Sequence, residues 1–395
     1  MSGKNILFYY DNYSGEGARG GTEVATARIA RALQASGQCR AYHAYRSGKG
    51  TTPETLYTDA VRLPKHGKGF ETRLADFISV NHIDVVVNMS RFFRHSKLRK
   101  AISLSGRDAR LLFMHHFAPG SETAKTTWSA AWHLLRLDPL NPLYWLRATF
   151  YPLLKLPRRL RYPGAYREVY ETSDRVILLS EGYIEGFQQY GRFKNKEKFV
   201  AIPNIYDTPT ELQLDGKKEK RVLILSRMDE IQKRITIALQ IWKKIEERPE
   251  LADWRLDIVG SGHDKRGLKK LARNLHLQRV FFHGWQNSAP FLEKASILMM
   301  TSLYEGLSLS MIEAATFGAV PVAFNSYASL RDIVEDGVTG VAVEPFGDTD
   351  AFATRLADIM LDENRRSEMV GEGRRRTSRY SSVSVASRWL DSLRS

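Results

Sequence analysis

Residues 297–324, which read ILMMTSLYEGLSLSMIEAATFGAVPVAF, decide the fold of this chain. The stretch begins and ends with short apolar runs at 297–301 and 320–324, which are typical of strands buried on both faces of a sheet. Between them, a turn around Gly306 opens a segment of helical pattern. A strand, a helix and a second strand in this order predict two parallel strands joined by a crossover helix.

The same alternation continues on both sides of this unit. The predicted strands of the first half are 6–10, 41–45, 84–88, 111–115, 176–179 and 199–202. Those of the second half are 222–225, 256–259, 280–283, 297–301, 320–324 and 340–343. The pattern predicts an α/β fold with two Rossmann-like, doubly wound domains. Turn formers and the charged run DGKKEK at 215–220 interrupt the rhythm, and we expect a first domain at 1–205 and a second at 206–380.

Composition excludes several protein classes. The 395 residues are 43% hydrophobic and 26% charged, and they contain no run of about 18 uncharged apolar residues that an integral membrane protein requires. The first 14 residues indicate a strand rather than a signal peptide. A single cysteine, Cys39, excludes an intrachain disulfide framework and a cysteine-based metal site. We therefore expect a cytoplasmic protein.

The positive charge is concentrated in the first half of the chain. Residues 1–200 carry 31 Lys and Arg against 17 Asp and Glu, whereas residues 201–395 carry 28 against 27. The basic half is expected to face an anionic partner, such as a phospholipid surface, a phosphorylated lipid or nucleic acid.

The segment 125–167 interrupts the alternation of predicted strands and helices, and we interpret it as an insertion. It holds eight basic residues against one acidic residue, together with Trp128, Trp132 and several prolines. Aromatic and basic residues beside apolar ones, here including Arg158, Arg159 and Arg161, suit a segment lying in a lipid headgroup layer. The alternative is a helical hairpin that packs on the domain with solvated arginines. The prolines are expected to break any long helix.

The turn after strand 297–301 has the character of an anion site. Free N–H groups at a helix start bind phosphate, and here they would lie around Gly306 and Ser308. Glu305 before the turn and Glu313 within the helix could accept hydrogen bonds from hydroxyls on either side of a bound diphosphate, as a nucleotide-sugar requires. Alternatively, Ser310 and Glu313 form a capping box.

Two cations and two glycines form a second group. Arg227 follows strand 222–225, and Lys233 lies six residues further on, so that both could neutralise a diphosphate leaving group without a metal. Alternatively, they form a solvated loop paired with its own carboxylates. Gly260 and Gly262 follow strand 256–259 and allow close backbone approach.

Two features of the first half complete the candidate site. A glycine-rich loop that ends at Gly21 precedes a helix and could admit a ligand to the helix start, or could be a surface loop. His116 directly follows the strand 111–115, where a structural histidine is the alternative to a functional one.

In their joint order these residues resemble the retaining glycosyltransferases of family 4, which have the GT-B fold of two Rossmann-like domains facing across a cleft. The resemblance spans nearly the whole chain and is carried by the following motifs: Gly20-Gly21-Thr22-Glu23, His116, Pro203-Asn204, Ser226-Arg227 with Lys233, Gly260-Ser261-Gly262, Gly284, Glu305 with Glu313, and Gly318-Ala-Val-Pro321.

The resemblance implies roles for individual residues. Arg227 and Lys233 hold the donor diphosphate, Glu305 contacts the transferred sugar, and His116 lies beside that sugar. Residues implied in donor binding are Gly21, Gly260, Gly262, Gly306, Leu307, Ser308 and Glu313, the last through the ribose. The segment 381–395 is expected to return to the first domain as a helix.

The implied reaction is transfer of a hexose or hexosamine from a nucleoside diphosphate-sugar, with UDP-sugar favoured and GDP-mannose next, and without a metal or other cofactor. The basic half implies a lipid-linked saccharide acceptor at the inner face of the plasma membrane, hence surface polysaccharide assembly. Alternatives are a GT-B-fold nucleotide-sugar epimerase and a basic nucleic-acid-binding protein, although no nucleic-acid module is recognised. Asp348 and Asp350 match a metal-binding D-x-D pattern, but their place after a Pro-Phe-Gly turn predicts a helix cap.

Overall fold

The computed structural model describes residues 3–15, 21–48, 56–65, 69–124, 132, 134–135, 142–209 and 218–394, apart from the side chains at 147, 148, 151, 152, 154, 155 and 158. The chain divides into two compact units. The first comprises Met1–Pro119, Leu160–Asp207 and Tyr380–Ser395, and the second comprises Gly120–Arg159 and Thr208–Arg379.

The described part of the first unit is built on a seven-stranded parallel sheet in the order β3-β2-β1-β4-β5-β6-β7. Its strands are β1 (Lys4–Tyr9), β2 (Cys39–Tyr45), β3 (Asp59–Arg62), β4 (Val85–Asn88), β5 (Arg110–His115), β6 (Arg175–Leu178) and β7 (Phe199–Ala201). Its helices are Gly21–Ala35, Phe70–Val80, His95–Leu104, Tyr183–Gly191, Ser382–Arg394 and the later part of Tyr151–Thr172. The apolar pattern does not predict β3, because this edge strand has only Val61 buried and therefore lacks an apolar run.

The second unit repeats this architecture with six parallel strands among its described residues, in the order β10-β9-β8-β11-β12-β13. These are β8 (Glu219–Leu225), β9 (Arg255–Val259), β10 (Val280–Gly284), β11 (Ala295–Met300), β12 (Val320–Phe324) and β13 (Val341–Val343). Its helices are Ser121–Ala124, Pro142–Thr149, Glu230–Lys233, Ile235–Glu246, Lys265–Asn274, Ala289–Lys294, Leu309–Phe317, Leu330–Ile333, Thr349–Leu361 and Glu363–Thr377. The predicted α/β class with two parallel-sheet domains is confirmed.

The strand order places the ligand edge of the second sheet. The chain runs outward from β8 to β9 and β10 on one side, and β11 continues on the other side of β8. In open parallel sheets, ligands bind at the carboxyl ends of the strands where this order reverses. The loops after β8 and β11 therefore meet where a ligand is expected, and they carry Arg227 and Glu305.

The last helix, Ser382–Arg394, belongs to the first unit and packs against the helix Gly21–Ala35. Trp389 is fully buried there, with its ring centroid 6.5 Å from that of Phe8. An aromatic side chain in such a position contributes largely through apolar burial.

The insertion differs from expectation in two respects. Residues 120–159 group with the second unit rather than the first, because Leu134, Leu135 and Tyr144 pack against Ile231. The prediction that prolines break any long helix is also wrong: Tyr151–Thr172 is a continuous helix of 22 residues that contains Pro157 and Pro163. Burial of its later side chains offsets the lost backbone hydrogen bonds; the buried ones are Tyr162, Ala165, Tyr166, Val169 and Tyr170. Among the described helices, none combines the length and apolarity that crossing a membrane demands.

Candidate functional site

The centre of the site is an ion pair between the loops that follow β8 and β11. Lys233 ends the short helix Glu230–Lys233, and its Nζ lies 2.5 Å from Oε1 of Glu305. The two side chains are only 13% and 10% exposed. A cation and a carboxylate held this close in a nearly buried edge can bind two different groups of one ligand, the cation an anionic phosphate and the carboxylate a sugar hydroxyl that donates a hydrogen bond.

Gln232, which is not one of the predicted site residues, connects this pair to Arg227. Its Nε2 donates to Oε2 of Glu305 at 3.1 Å, and its Oε1 accepts from Nη2 of Arg227 at 3.4 Å. Its backbone oxygen accepts from the N–H of Leu303 at 2.8 Å, which ties the two loops together. In the sequence, the only indication of this role is that Gln232 lies between the two cationic residues Arg227 and Lys233.

The alternative of a self-paired surface loop is wrong. Asp229 is 3% exposed and Glu230 is fully buried, so neither lies on the surface as that alternative requires. Arg227 is exposed, and its guanidinium therefore remains accessible to a ligand. Burial, followed by the charges of Asp229 and Glu305, raises the pKa of Tyr304 beside the pair, so this hydroxyl stays protonated.

The helix start after Glu305 also differs from the capping-box alternative. The helix is Leu309–Phe317, with Ser308 at the N-cap, so Ser310 lies inside the helix. The Ser308 side chain makes no capping hydrogen bond, and its Oγ lies 3.2 Å from Oγ of Ser310. Leu307 and Ser308 are buried at 7% and 4% exposure. What this turn offers a ligand is therefore mainly backbone N–H groups, as in other phosphate-binding helix starts.

The two glycines after β9 are required by close contact with the loop that carries Arg227. A Cβ on Gly260 would lie 1.9 Å from the backbone oxygen of Ser226, and one on Gly262 would lie 2.2 Å from that of Met228. Gly260 also has φ of +141°, a conformation that other residues rarely adopt. Close backbone approach was predicted, and the structure shows that the neighbouring loop is what approaches.

The remaining predicted site residues are placed as follows. Glu313 is half-buried within the helix Leu309–Phe317, and Gly306 is half-buried in the turn before it. In the first unit, Gly21 begins a helix, and a Cβ there would meet no atom within 4 Å. His116 follows β5, and burial lowers its pKa to about 4, so that the ring is neutral. Among the described residues, its Nε2 has no hydrogen-bond partner.

One further cluster has the spacing of a metal site. In the part of the chain that the structure describes, Asp229, His263 and Asp264 bring one ligand atom each within 4.8 Å of one another. Both carboxylate oxygens of Asp264 are already engaged, since Oδ1 accepts from the Tyr144 hydroxyl and Oδ2 from the N–H of Glu230, each at 2.7 Å. Asp264 therefore joins the helix Pro142–Thr149 to the helix Glu230–Lys233 through these two hydrogen bonds.

The D-x-D pattern is a helix cap, as predicted. Asp348 is the N-cap of Thr349–Leu361, and its side chain accepts from the backbone N–H groups of Asp350 and Ala351. This satisfies two donors that a helix start otherwise leaves open.

The predicted membrane-facing residues are only partly described. Trp128 and the side chain of Arg158 lie outside the described residues. Trp132 is 55% exposed, Arg159 is partly exposed, and Arg161 is exposed with its guanidinium 5.6 Å from the Phe93 ring centroid.

Comparison with known proteins shows which family and which fold this chain resembles. Residues 211–376 match the family described as Glycosyl transferases group 1. The chain is 27% identical over 238 residues to the poly(glycerol-phosphate) alpha-glucosyltransferase of Bacillus subtilis, an alignment that covers 58% of this chain but only 34% of the relative. The chain therefore spans about a third of the length of that protein.

A second relative and a solved structure match over longer ranges. A Campylobacter jejuni N-acetylgalactosaminyltransferase, whose name specifies a saccharide on diphospho-undecaprenol, is 24% identical over 76% of this chain and 78% of its own. Anabaena HepE, solved in complex with UDP, has a TM-score of 0.72 at 17% identity and covers 99% of both chains. Residues 211–376 of this chain therefore match a glycosyl transferases group 1 domain, and the chain has the GT-B fold.

Proposed function

We propose that this chain is a retaining glycosyltransferase that moves a hexose or hexosamine from a nucleoside diphosphate-sugar, with UDP-sugar as the favoured donor, to a lipid-linked saccharide. The observation that carries the proposal is the Lys233–Glu305 pair, at 2.5 Å, beside an uncapped helix start at the switch point of the sheet. The family of residues 211–376 and the saccharide-transferring relatives support it.

Each group has a task in the proposed transfer. Lys233 and Arg227 neutralise the diphosphate as its bond to the anomeric carbon breaks, and the backbone N–H groups at the helix start assist them. Glu305 orients the sugar through its hydroxyls. The acceptor oxygen attacks from the face that the diphosphate leaves, and its proton passes to a phosphate oxygen, so the anomeric configuration is retained.

Two cations at the diphosphate would make a metal unnecessary. One thermal unfolding experiment tests both this metal independence and the identity of the donor base. Thermal unfolding is measured with UDP, GDP, ADP, dTDP and CMP, each with EDTA and with Mg²⁺. A ligand at about 100 times its Kd stabilises a protein by about 2.7 kcal/mol. Selective stabilisation by UDP that is insensitive to EDTA is expected. Stabilisation that requires Mg²⁺ would overturn metal independence, and no response to any nucleotide would overturn the proposed function.

We propose further that the segment around 142–161 contacts an anionic membrane surface from which the acceptor is taken. Several large apolar side chains of this segment are between 42% and 64% exposed: Leu143, Trp145, Leu146, Phe150, Leu153 and Leu156. Arg159 and Arg161 accompany them. Apolar side chains flanked by arginines lower the free energy of a protein at a lipid headgroup layer.

Vesicle sedimentation tests this surface. Replacement of Arg158, Arg159 and Arg161 by Glu is expected to release the protein from vesicles that contain phosphatidylglycerol. A charge-matched control replaces the exposed lysines 100, 194 and 196 by Glu. If both triple variants lose binding equally, only net charge matters, and the segment is not the contact.

A further inference from the structure

A buried tyrosine connects the insertion to the loop that carries the two cations. Tyr144 lies in the helix Pro142–Thr149 and is 7% exposed, whereas its neighbours Leu143 and Trp145 are 64% and 50% exposed. Its hydroxyl donates to Oδ1 of Asp264 at 2.7 Å. A hydrogen bond between a hydroxyl and a carboxylate at this distance is charge-assisted and stronger than a neutral one.

Asp264 transmits this contact to the cation-bearing loop. It occupies the N-cap position of the helix Lys265–Asn274, yet its side chain makes no capping hydrogen bond there. Instead its Oδ2 accepts from the N–H of Glu230 at 2.7 Å, at the first residue of the helix Glu230–Lys233. A residue type that normally caps its own helix thus holds the start of the helix that ends in Lys233.

An apolar contact reinforces this link. Leu134, Leu135 and Tyr144 form a buried cluster with Ile231, which lies two residues before Lys233. The insertion therefore holds the short helix through both a side-chain packing contact and a hydrogen-bond relay.

The loop needs such support because its backbone is strained directly after Lys233. Arg234 has φ of 50°, the left-handed region that residues other than glycine adopt only when their surroundings hold them there. Thr301 assists from the other side, where its hydroxyl lies 3.0 Å from the backbone oxygens of Lys233 and Arg234.

We propose that Tyr144 is a positioning residue that holds the loop 226–234 in the geometry in which Arg227 and Lys233 meet a diphosphate. The inference rests on the proposed function, because it takes the donor diphosphate to be the ligand of this loop. Tyr144 acts through Asp264 and Glu230 and contacts no reacting atom.

The test compares the affinities of UDP and UMP by titration calorimetry in wild type and in Tyr144→Phe. This variant keeps the ring and its packing and removes only the hydroxyl. Loss of one hydrogen bond to a charged group is expected to weaken UDP binding about 10- to 100-fold, and to change UMP binding less than about twofold, because the loop acts on the second phosphate. A merely structural defect would lower both affinities together.

A matched control is Tyr170→Phe in the first unit. Tyr170 is 5% exposed, and its hydroxyl donates to Oδ1 of Asn195 at 2.8 Å, so Tyr170→Phe also removes a hydroxyl hydrogen bond, here one to a neutral amide of the first unit. Its UDP affinity is expected to equal that of wild type. Should Tyr144→Phe not fold, Leu135→Val is measured in the same way, with a smaller loss of UDP affinity expected.

The outcomes separate this inference from the proposed function. Wild type that binds UDP, together with a Tyr144→Phe variant that binds it equally well, overturns the positioning role and leaves the proposed function standing. An equal loss of UDP and UMP affinity overturns the positioning role as well. Wild type that binds neither nucleotide overturns the proposed function itself.

Discussion

The ion pair between Lys233 and Glu305 allows us to predict how Lys233→Met changes the stability and the turnover of the protein. The substitution keeps the length of the side chain and removes its charge, which leaves the carboxylate of Glu305 without a cation 2.5 Å away in surroundings where Glu305 is 8% exposed. Gln232 Nε2, at 3.1 Å, remains as a neutral donor.

The expected loss of stability follows from this burial. Removing one partner of a buried ion pair costs about 3–5 kcal/mol, because the remaining charge stays desolvated. For a domain of this size class, a change of 1 kcal/mol shifts Tm by about 2–4 °C. We therefore expect the second unit to lose about 6–20 °C in Tm. Loss of a group that stabilises the leaving diphosphate should also lower kcat about 100- to 1,000-fold.

The matched control is Lys244→Met in the same unit. Lys244 Nζ lies 2.6 Å from Oδ1 of Asp350, but these side chains are 35% and 83% exposed. An exposed pair contributes about 0–1 kcal/mol, so this variant should unfold in urea almost as wild type does, with unchanged turnover. Equal unfolding free energies for the two variants would refute the argument from burial, and unchanged kcat in Lys233→Met would refute the diphosphate clamp.

Further predictions concern the glycines, the second cation, the last helix and pH. Gly262→Ala places a Cβ 2.2 Å from the Met228 backbone oxygen and should destabilise the second unit and abolish UDP binding in calorimetry, whereas Gly371→Ala, where a Cβ meets no atom within 4 Å, should raise the unfolding free energy by about 0.5–1 kcal/mol. Arg227→Ala should lower kcat in a transfer assay, and unchanged kinetics would exclude this exposed guanidinium from the clamp. Trp389→Ala should cost about 3–5 kcal/mol in urea unfolding, and a cost below 1 kcal/mol would contradict the burial of this ring. Burial lowers the pKa of four histidines of the first unit to about 3 or 4, namely His43, His95, His115 and His116. Because the unfolded chain binds more protons between these values and pH 6.5, their contribution to stability is complete above pH 6.5 and is lost as the pH falls toward 4; urea midpoints that stay constant over this range would contradict it.

Much of the candidate site could be predicted because its residues follow strands. The strand pattern placed Arg227 after β8 and Glu305 after β11, at the strand ends where ligands of parallel sheets bind, and the resemblance to family 4 grouped them in one site. That β8 and β11 are neighbours was decided by the structure. The bridging role of Gln232 could not be predicted, because it depends on side-chain rotamers and on a backbone hydrogen bond to Leu303.

The packing of the insertion, in contrast, could not be predicted from the sequence. Its composition indicated an unusual surface, but its packing partner lies about a hundred residues away in sequence: the Tyr144 hydroxyl meets Asp264 across 120 positions. No local pattern encodes such contacts, because only folding of the second unit brings Ile231 and Asp264 to the residues of the insertion that they meet.

The sequence by itself determined the two parallel sheets, their approximate strand limits and the identity of the cation and carboxylate groups at one edge, since these follow from apolar periodicity and from residues local in the chain. The tertiary structure alone decided that Lys233 is paired with Glu305, that Asp264 supports a helix other than its own, and that 120–159 group with the second unit. The physical reason is that burial and side-chain partners arise between segments distant in sequence, and these set the strength of each charge and hydrogen bond.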